Sequence, residues 1–380
     1  MQTRTWGIGV VRALGLFLLL SVIACQRADQ GQVIKIGSSG PLSGPQADLG
    51  QQLLNGARLA VDEANAAGGV LGAKVELVAM DDKADPKEAV SVANKLVADS
   101  SVVAVVGNPN SGTALPASPV YHQNGMPFVI AAATNPKITQ QGFREVFRIC
   151  PTDDMQGPQA ANFAIEELKK TRIALLHDKS PYGQGLVGQF KKEAKRLGIT
   201  SFVEEATITA GDSDFSAVLT SLKEKNPDLI YFGGMYPEGG LLLRQSGTLG
   251  IKATFMGGDG SFDPQVIQVA GNAAEGAIFS FIAPPWDKIP EAKDFSDKYR
   301  ARHSEIGAFS PYGYDSVNVV ISALKKAGKV DRQAIIEALR APDFSYKGVT
   351  GTIRFDEKGD AKDKRLYFYV VKDEKFELWE

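Results

Sequence analysis

Cysteine is nearly absent from this 380-residue chain, with Cys25 and Cys150 the only two. If Cys25 is consumed by processing, Cys150 has no partner and an intrachain disulfide is excluded, whatever the compartment. Histidine is as scarce, and His122, His177 and His303 lie far apart. Their spacing suggests neither a zinc site nor an Asp-His-nucleophile set. No basic run or aromatic–basic alternation points to nucleic acid. After the first 25 residues no apolar stretch approaches the length of a membrane span. A nucleophile–base pair, a metal cluster and a phosphate loop are all missing, so neither an enzyme nor a cofactor is expected.

What is present begins at the N-terminus. Arg4 and Arg12 are the only charged residues before Cys25, and ALGLFLLLSVIA fills positions 13–24. That apolar core has signal-peptide length and is too short to span a bilayer comfortably. Val22-Ile23-Ala24-Cys25 then gives way to a polar stretch over 26–32. The arrangement resembles a bacterial lipobox, which implies a signal peptide over 1–24, lipidation at Cys25 and a tether over 25–32. Export to the periplasm or cell surface follows. An ordinary secretory signal with an incidental cysteine is the alternative. Without Arg4 and Arg12 the 42 basic residues fall by two against 44 acidic ones, leaving a mildly acidic body.

That body is long enough for two domains, each with its own core. Short β-branched runs alternate with amphipathic stretches, the pattern of parallel α/β sheets. One series places strands at 33–37, 75–79, 102–106, 128–131 and 146–149, with helices at 51–66, 87–98 and 113–122. A second places strands at 172–176, 202–206, 229–232, 253–256 and 277–281, with helices at 159–170, 185–197, 215–224 and 239–249. Between them, Cys150-Pro151-Thr152-Asp153-Asp154 is turn-rich and reads as a crossing between lobes. Pro284-Pro285-Trp286 is a second break. Helices at 292–303, 312–327 and 332–341 follow, then strands at 351–356 and 367–371. Gly183-Gln184-Gly185-Leu186-Val187-Gly188 matches G-x-G-x-x-G, but five residues separate it from the strand ending near His177. A dinucleotide turn requires the first glycine at the strand end, so the motif reads as a glycine-opened helix.

Many short motifs then fall in one colinear order: Pro41-Leu42-Ser43-Gly44-Pro45, Asp81-Asp82, Asp85-Pro86-Lys87, Ala131-Ala132-Ala133-Thr134, His177-Asp178-Lys179, Tyr182-Gly183, Phe255-Met256-Gly257, Ala274-Glu275-Gly276 and Asp356-Glu357-Lys358-Gly359-Asp360. Together they make residues 33–372 resemble the leucine/isoleucine/valine-binding proteins of bacterial ABC importers. The resemblance implies an α/β fold of two Rossmann-like lobes with parallel sheets joined by three hinge crossings, the type I periplasmic-binding fold. Lobe 1 would comprise 33–151 plus 283–360, and lobe 2 would comprise 152–282 plus 361–380. A monomer that takes an amino acid in the cleft and passes it to a membrane permease is the expected function. A sensor lobe, or the same clamp around an amide, a urea-like solute or an aromatic acid, is the alternative.

Each candidate site residue has two readings. Ser111 opens a helix after the strand at 102–106, where free N–H groups and its hydroxyl suit a carboxylate; it could equally be a helix cap. Thr134 ends a strand, as a donor or as a turn residue before Asn135-Pro136. Asp259, between glycines beyond a strand end, faces an ammonium or is a solvated turn aspartate. The resemblance selects the binding role for all three, adds the Ala132 carbonyl for the ammonium, and makes Tyr182 a lid. In most leucine-binding relatives the position of Asp259 is Glu, one methylene longer. For the ligand side chain it implies Leu49, Pro109, Met235 and Phe309. Leu49 and Met235 stand where leucine binders carry tyrosine, and Tyr236 is a substitute one residue on. The family's disulfide positions are Ala84 and Asn110, so packing alone is expected to hold the loop that carries Ser111.

Overall fold

A computed structural model describes residues 33–286 and 289–380. The expected signal peptide, the tether and Cys25 lie outside the described residues.

Two sheets organise the chain. The first has five parallel strands, β1 (Val33–Gly40), β2 (Lys74–Asp81), β3 (Val102–Gly107), β4 (Phe128–Ile130) and β5 (Val146–Arg148), in the order β2-β1-β3-β4-β5. Three helices connect them: α1 (Ala47–Ala66), α2 (Pro86–Ala98) and α3 (Ser111–Gln123). Every residue of β3 is buried, which explains the uninterrupted apolar run at its core: helices cover both faces of a parallel sheet.

The second sheet repeats the plan. Helix α4 (Asp153–Asn162) leads into it, and its parallel strands are β6 (Ile173–His177), β7 (Glu204–Thr207), β8 (Leu229–Gly233), β9 (Thr254–Gly257) and β10 (Ile278–Phe281). They lie in the order β7-β6-β8-β9-β10, the same winding as the first sheet. Their connections include α5 (Pro181–Arg196), α6 (Ser216–Lys225), α7 (Tyr236–Leu249) and α8 (Pro264–Ala270). After β10 the chain forms α9 (Lys293–Arg300), α10 (Ser310–Ala327), α11 (Arg332–Arg340) and the hairpin β11 (Tyr346–Gly348)–β12 (Gly351–Ile353). It then returns to the second sheet as β13 (Tyr367–Lys372), antiparallel to β10, with β14 (Lys375–Leu378) on its edge. The chain therefore passes between the sheets after β5, after β10 and after β12.

Several boundaries differ from expectation for local reasons. The helix expected at 159–170 starts at Asp153 and loosens into a wide turn over Phe163–Glu167. Two-residue alternation hid β11, which is only three residues long, and β14 closes a hairpin after the expected last strand. No described helix is long and apolar enough to cross a membrane.

Helices α1 and α10 touch at backbone distance. A Cβ at Gly56 would overlap the Ser310 carbonyl, and one at Gly313 would overlap the Leu53 carbonyl. Both glycines are needed for contact rather than for backbone freedom. Gly313→Ala is expected to cost about 1–3 kcal/mol through overpacking, read from the urea midpoint; an unchanged midpoint would refute the close-contact account.

Candidate functional site

Both sheets turn their carboxyl ends toward one gap, where ligands of open α/β sheets bind. A cavity of about 110 Å³ fills it, lined by segments that follow β1, β2, β3, β4, β6, β7, β8 and β9 and by Phe309 at the start of α10. Of the ten residues expected at the site, the structure brings nine together here: Leu49, Pro109, Ser111, Ala132, Thr134, Tyr182, Met235, Asp259 and Phe309. Tyr236 is placed elsewhere. Its hydroxyl donates to the Pro45 carbonyl at 3.0 Å, making it a clasp between lobes rather than a wall of the cavity.

One end of the cavity offers donors. The N–H groups of Ser111 and Gly112, in the first turn of α3, have no acceptor among the described residues. Ser111 caps nothing: its hydroxyl accepts the Asn135 N–H at 3.2 Å, which leaves its own proton free to donate. The loop before it is not held by packing alone. Asn108 N–H donates to the Ser39 carbonyl at 2.6 Å, and the Asn108 amide reaches Asp82 at 3.3 Å. Asn110 donates to Gln46 at 2.6 Å, and the Ser39 hydroxyl to Asp82 at 3.1 Å. These bonds hold the loop next to Ala84 and Asn110, and no spacing in the sequence forecasts them.

The floor is acidic. Tyr182 donates its hydroxyl to Asp259 Oδ1 at 2.8 Å and accepts the Gly260 N–H at 2.9 Å. Fully buried Gln156 donates to the same Oδ1 at 2.9 Å, while its Oε1 accepts the Asp259 N–H and the Ser280 hydroxyl. No described side chain bonds Asp259 Oδ2, while the Gly260 and Asp259 N–H groups also favour the charged carboxyl. Burial raises the Asp259 carboxyl above its ordinary range, against those hydrogen bonds. Asp178 also lines the cavity, and no Lys, Arg or His does.

Behind Thr134 stands Asp153, fully buried at the first position of α4, with neither carboxylate oxygen in a hydrogen bond. The Thr134 hydroxyl is likewise buried and unpartnered. Burial drives the Asp153 carboxyl from the ordinary 3.8 to about 8, while the neighbouring Thr134 hydroxyl favours its charged form and the charge of Asp259 disfavours it. Such orphan groups call for a partner. Arg148 fixes the strand end that carries Thr134. It is fully buried and donates to the Ala133 and Asn135 carbonyls at 3.1 and 2.8 Å, to Thr139 at 2.6 Å and to Asp360 at 2.8 Å. Sequence reasoning missed Asp153, Gln156 and Arg148. The turn-rich crossing at 150–154 marked the place of Asp153, but composition gives no sign that a turn aspartate is buried.

The remaining lining is largely apolar: Leu49, Pro109, Met235 and Phe309, with Ala84 and Ala210. The lobes are shut over it. Besides Tyr236, the Asn135 amide donates to the Pro181 carbonyl at 2.6 Å, and Gln52 donates to Asp263 at 3.0 Å.

A closed cleft between two doubly wound lobes, with donors at one end and carboxylates below, defines a solute-binding clamp. The chain belongs to the periplasmic binding protein family, whose model matches residues 33–375. Within that family it is 39% identical over 344 residues to Leu/Ile/Val-binding protein homolog 1 of Brucella suis, covering 90% of this chain and 91% of the relative. It is 40% identical over 331 residues to the leucine-, isoleucine-, valine-, threonine- and alanine-binding protein of Pseudomonas aeruginosa, covering 87% of each. The solved structure of the branched-chain amino acid transporter substrate-binding protein LivJ from Streptococcus pneumoniae, in complex with isoleucine, superposes with a TM-score of 0.84 at 34% identity. That match covers 91% of this chain and 98% of LivJ. These relatives are solute-binding proteins, in agreement with the expectation of a binder and not an enzyme.

Asp153 gives the site a pH signature. Between pH 3.8 and about 8 the folded chain holds a proton there that the unfolded chain has released, so the group subtracts stability as pH rises through that window. Urea-denaturation stability is expected to fall more steeply from pH 5 to pH 8 (about the width of that window) in the wild type than in Asp153→Asn. Equal slopes would show that Asp153 is charged at neutral pH.

Proposed function

We propose that the chain is an exported lipoprotein, anchored through Cys25, that captures a neutral aliphatic amino acid and delivers it to the permease of an ABC importer. Residues 33–151 with 283–360 act as one lobe of the clamp, and 152–282 with 361–380 as the other. The protein works as a monomer. The observation that carries this reading is the charge layout of the cavity: free donors at Ser111 and Gly112, the buried carboxylate of Asp259, orphan acceptors at Asp153, and no basic side chain among the described lining residues.

A zwitterion complements that layout. Its carboxylate takes the Ser111 hydroxyl and the helix N–H groups. Its ammonium takes the Ala132 carbonyl and Asp259 Oδ2, in the kind of charge-assisted bond that is shorter and stronger than a neutral one. The shorter Asp259, set by Gln156 and Tyr182, draws the ammonium toward lobe 2. Thr134 joins the two charged groups. An ammonium only donates, so a threonine oxygen that accepts from it must direct its own proton elsewhere, and the carbonyl oxygen of the protonated Asp153 carboxyl is the adjacent free acceptor. The apolar wall then receives an aliphatic side chain. Burying these charges is tolerable because each finds a partner. Ligand thereby favours the shut state, and the shut surface is what a permease recognises. The Pseudomonas aeruginosa relative is a leucine-, isoleucine-, valine-, threonine- and alanine-binding protein, which supports the same class.

The test is a thermal-shift and calorimetry panel on the chain from Gln26 with L-leucine, L-isoleucine, L-valine, L-threonine, acetamide and benzoate. At least one neutral amino acid is expected to raise Tm in step with the logarithm of its concentration. Ser111→Ala should weaken binding about 10–100-fold, the worth of one bond to a charged group. Asp259→Lys should abolish it. A shift with benzoate or acetamide and none with amino acids would replace this reading by another solute.

A further inference from the structure

Gln52 is buried at 8% exposure on α1, one turn beyond the cavity wall residue Leu49. Its amide hydrogens go to two carboxylates, Asp48 at 2.7 Å on its own helix and Asp263 at 3.0 Å on the opposite lobe. Its amide oxygen accepts the Phe309 N–H at 3.1 Å. A primary amide has two donors and one carbonyl, and here all of them are committed. Phe309 lines the ligand cavity, and its ring meets Phe281 edge-on. The loop ahead of Phe309 is pressed onto the same side chain, since a Cβ at Gly307 would overlap Gln52. Asp263 also caps α8 by accepting the Gln265 N–H at 2.8 Å, so its carboxylate is fixed before Gln52 arrives.

We infer that Gln52 is a positioning residue that fastens the two lobes and sets the Phe309 wall with one side chain. This goes beyond the amino-acid reading and rests on it only through the closing clamp. The bond to Asp263 joins residues that separate when the lobes part, whereas the bonds to Asp48 and Phe309 stay within lobe 1. Opening therefore strips one of the two carboxylates from the amide and loosens its grip on the wall that contacts the ligand side chain. Gln52 acts on how long a ligand is held and on the shape of the side-chain compartment, without touching the ligand's charged groups.

The experiment compares wild type, Gln52→Met, Asp263→Ser and the double variant on the chain from Gln26. Met keeps the volume of Gln52, and Ser keeps a helix-capping oxygen while being too short to span the lobes. Release of radiolabelled L-leucine is followed after a chase of unlabelled leucine, and Kd by calorimetry gives the association rate. Each single variant is expected to release leucine about tenfold faster with association unchanged, as befits a bond made only after docking. The double variant should release no faster than Gln52→Met, because both changes remove the same bond. Wild-type release in Asp263→Ser, or a double variant equal to the product of the singles, overturns the proposal; Asp263→Ser decides it alone if Gln52→Met does not fold. If the wild type binds no amino acid, the functional reading fails separately. The latch is then judged by small-angle scattering of the unliganded wild type and Asp263→Ser, where a more open variant supports it and identical curves overturn it.

Discussion

A carboxylate taken out of water needs a cation, a proton or several hydrogen bonds, and most of this site follows from that demand. Asp259 is met at Oδ1 by Gln156 and Tyr182, while no described side chain bonds Oδ2. Asp153 is met by nothing within bonding geometry. The protein places no basic side chain in the cavity to answer them. An arrangement left incomplete in this way is a poor core but a good receptor, because the missing partner can be supplied by a guest. The guest must also bring an anion to the free N–H groups of α3, and the two requirements together describe a zwitterion.

The surrounding structure serves to keep that incompleteness rigid. Arg148 is committed to the two carbonyls flanking Thr134, so the strand end cannot swing toward Asp153 to satisfy it. Gln156 fixes Asp259 from the backbone N–H and the carboxylate at once. Both residues belong to the segment around the first crossing between the lobes, where a shift of either lobe would be felt first. Arg148, Asp153 and Gln156 belong both to this crossing and to the support of the receptor, which gives ligand occupancy a direct mechanical route to lobe position.

Much of this was legible in the sequence because it depends on local pattern. The alternation of β-branched runs and amphipathic stretches gave both series of strands, and strand-end residues such as Ser111, Thr134 and Asp259 could be placed at the gap by the rule for open α/β sheets. The unread part depends on burial and partnership. Nothing local separates the buried Asp153 from its exposed neighbour Asp154, or a glutamine such as Gln156 that holds a carboxylate from one that faces water. Tyr236 was misplaced for a related reason. One position along a helix start rotates a side chain by about 100°, enough to carry it from the cavity to the Pro45 carbonyl on the rim.

The loop that presents Ser111 is secured by hydrogen bonds among Asn108, Asn110, Ser39 and Asp82, with no disulfide among the described residues. A reductant has nothing to cut there, so chains made in a reducing cytosol and chains matured outside it acquire the same loop. Acidification is another matter. Burial lifts the Asp82 carboxyl to about 6, and Ser39, Ala84 and Asn108 all donate to it, so protonation weakens those three bonds together. This loop answers to the acidity of its surroundings and is blind to their redox poise.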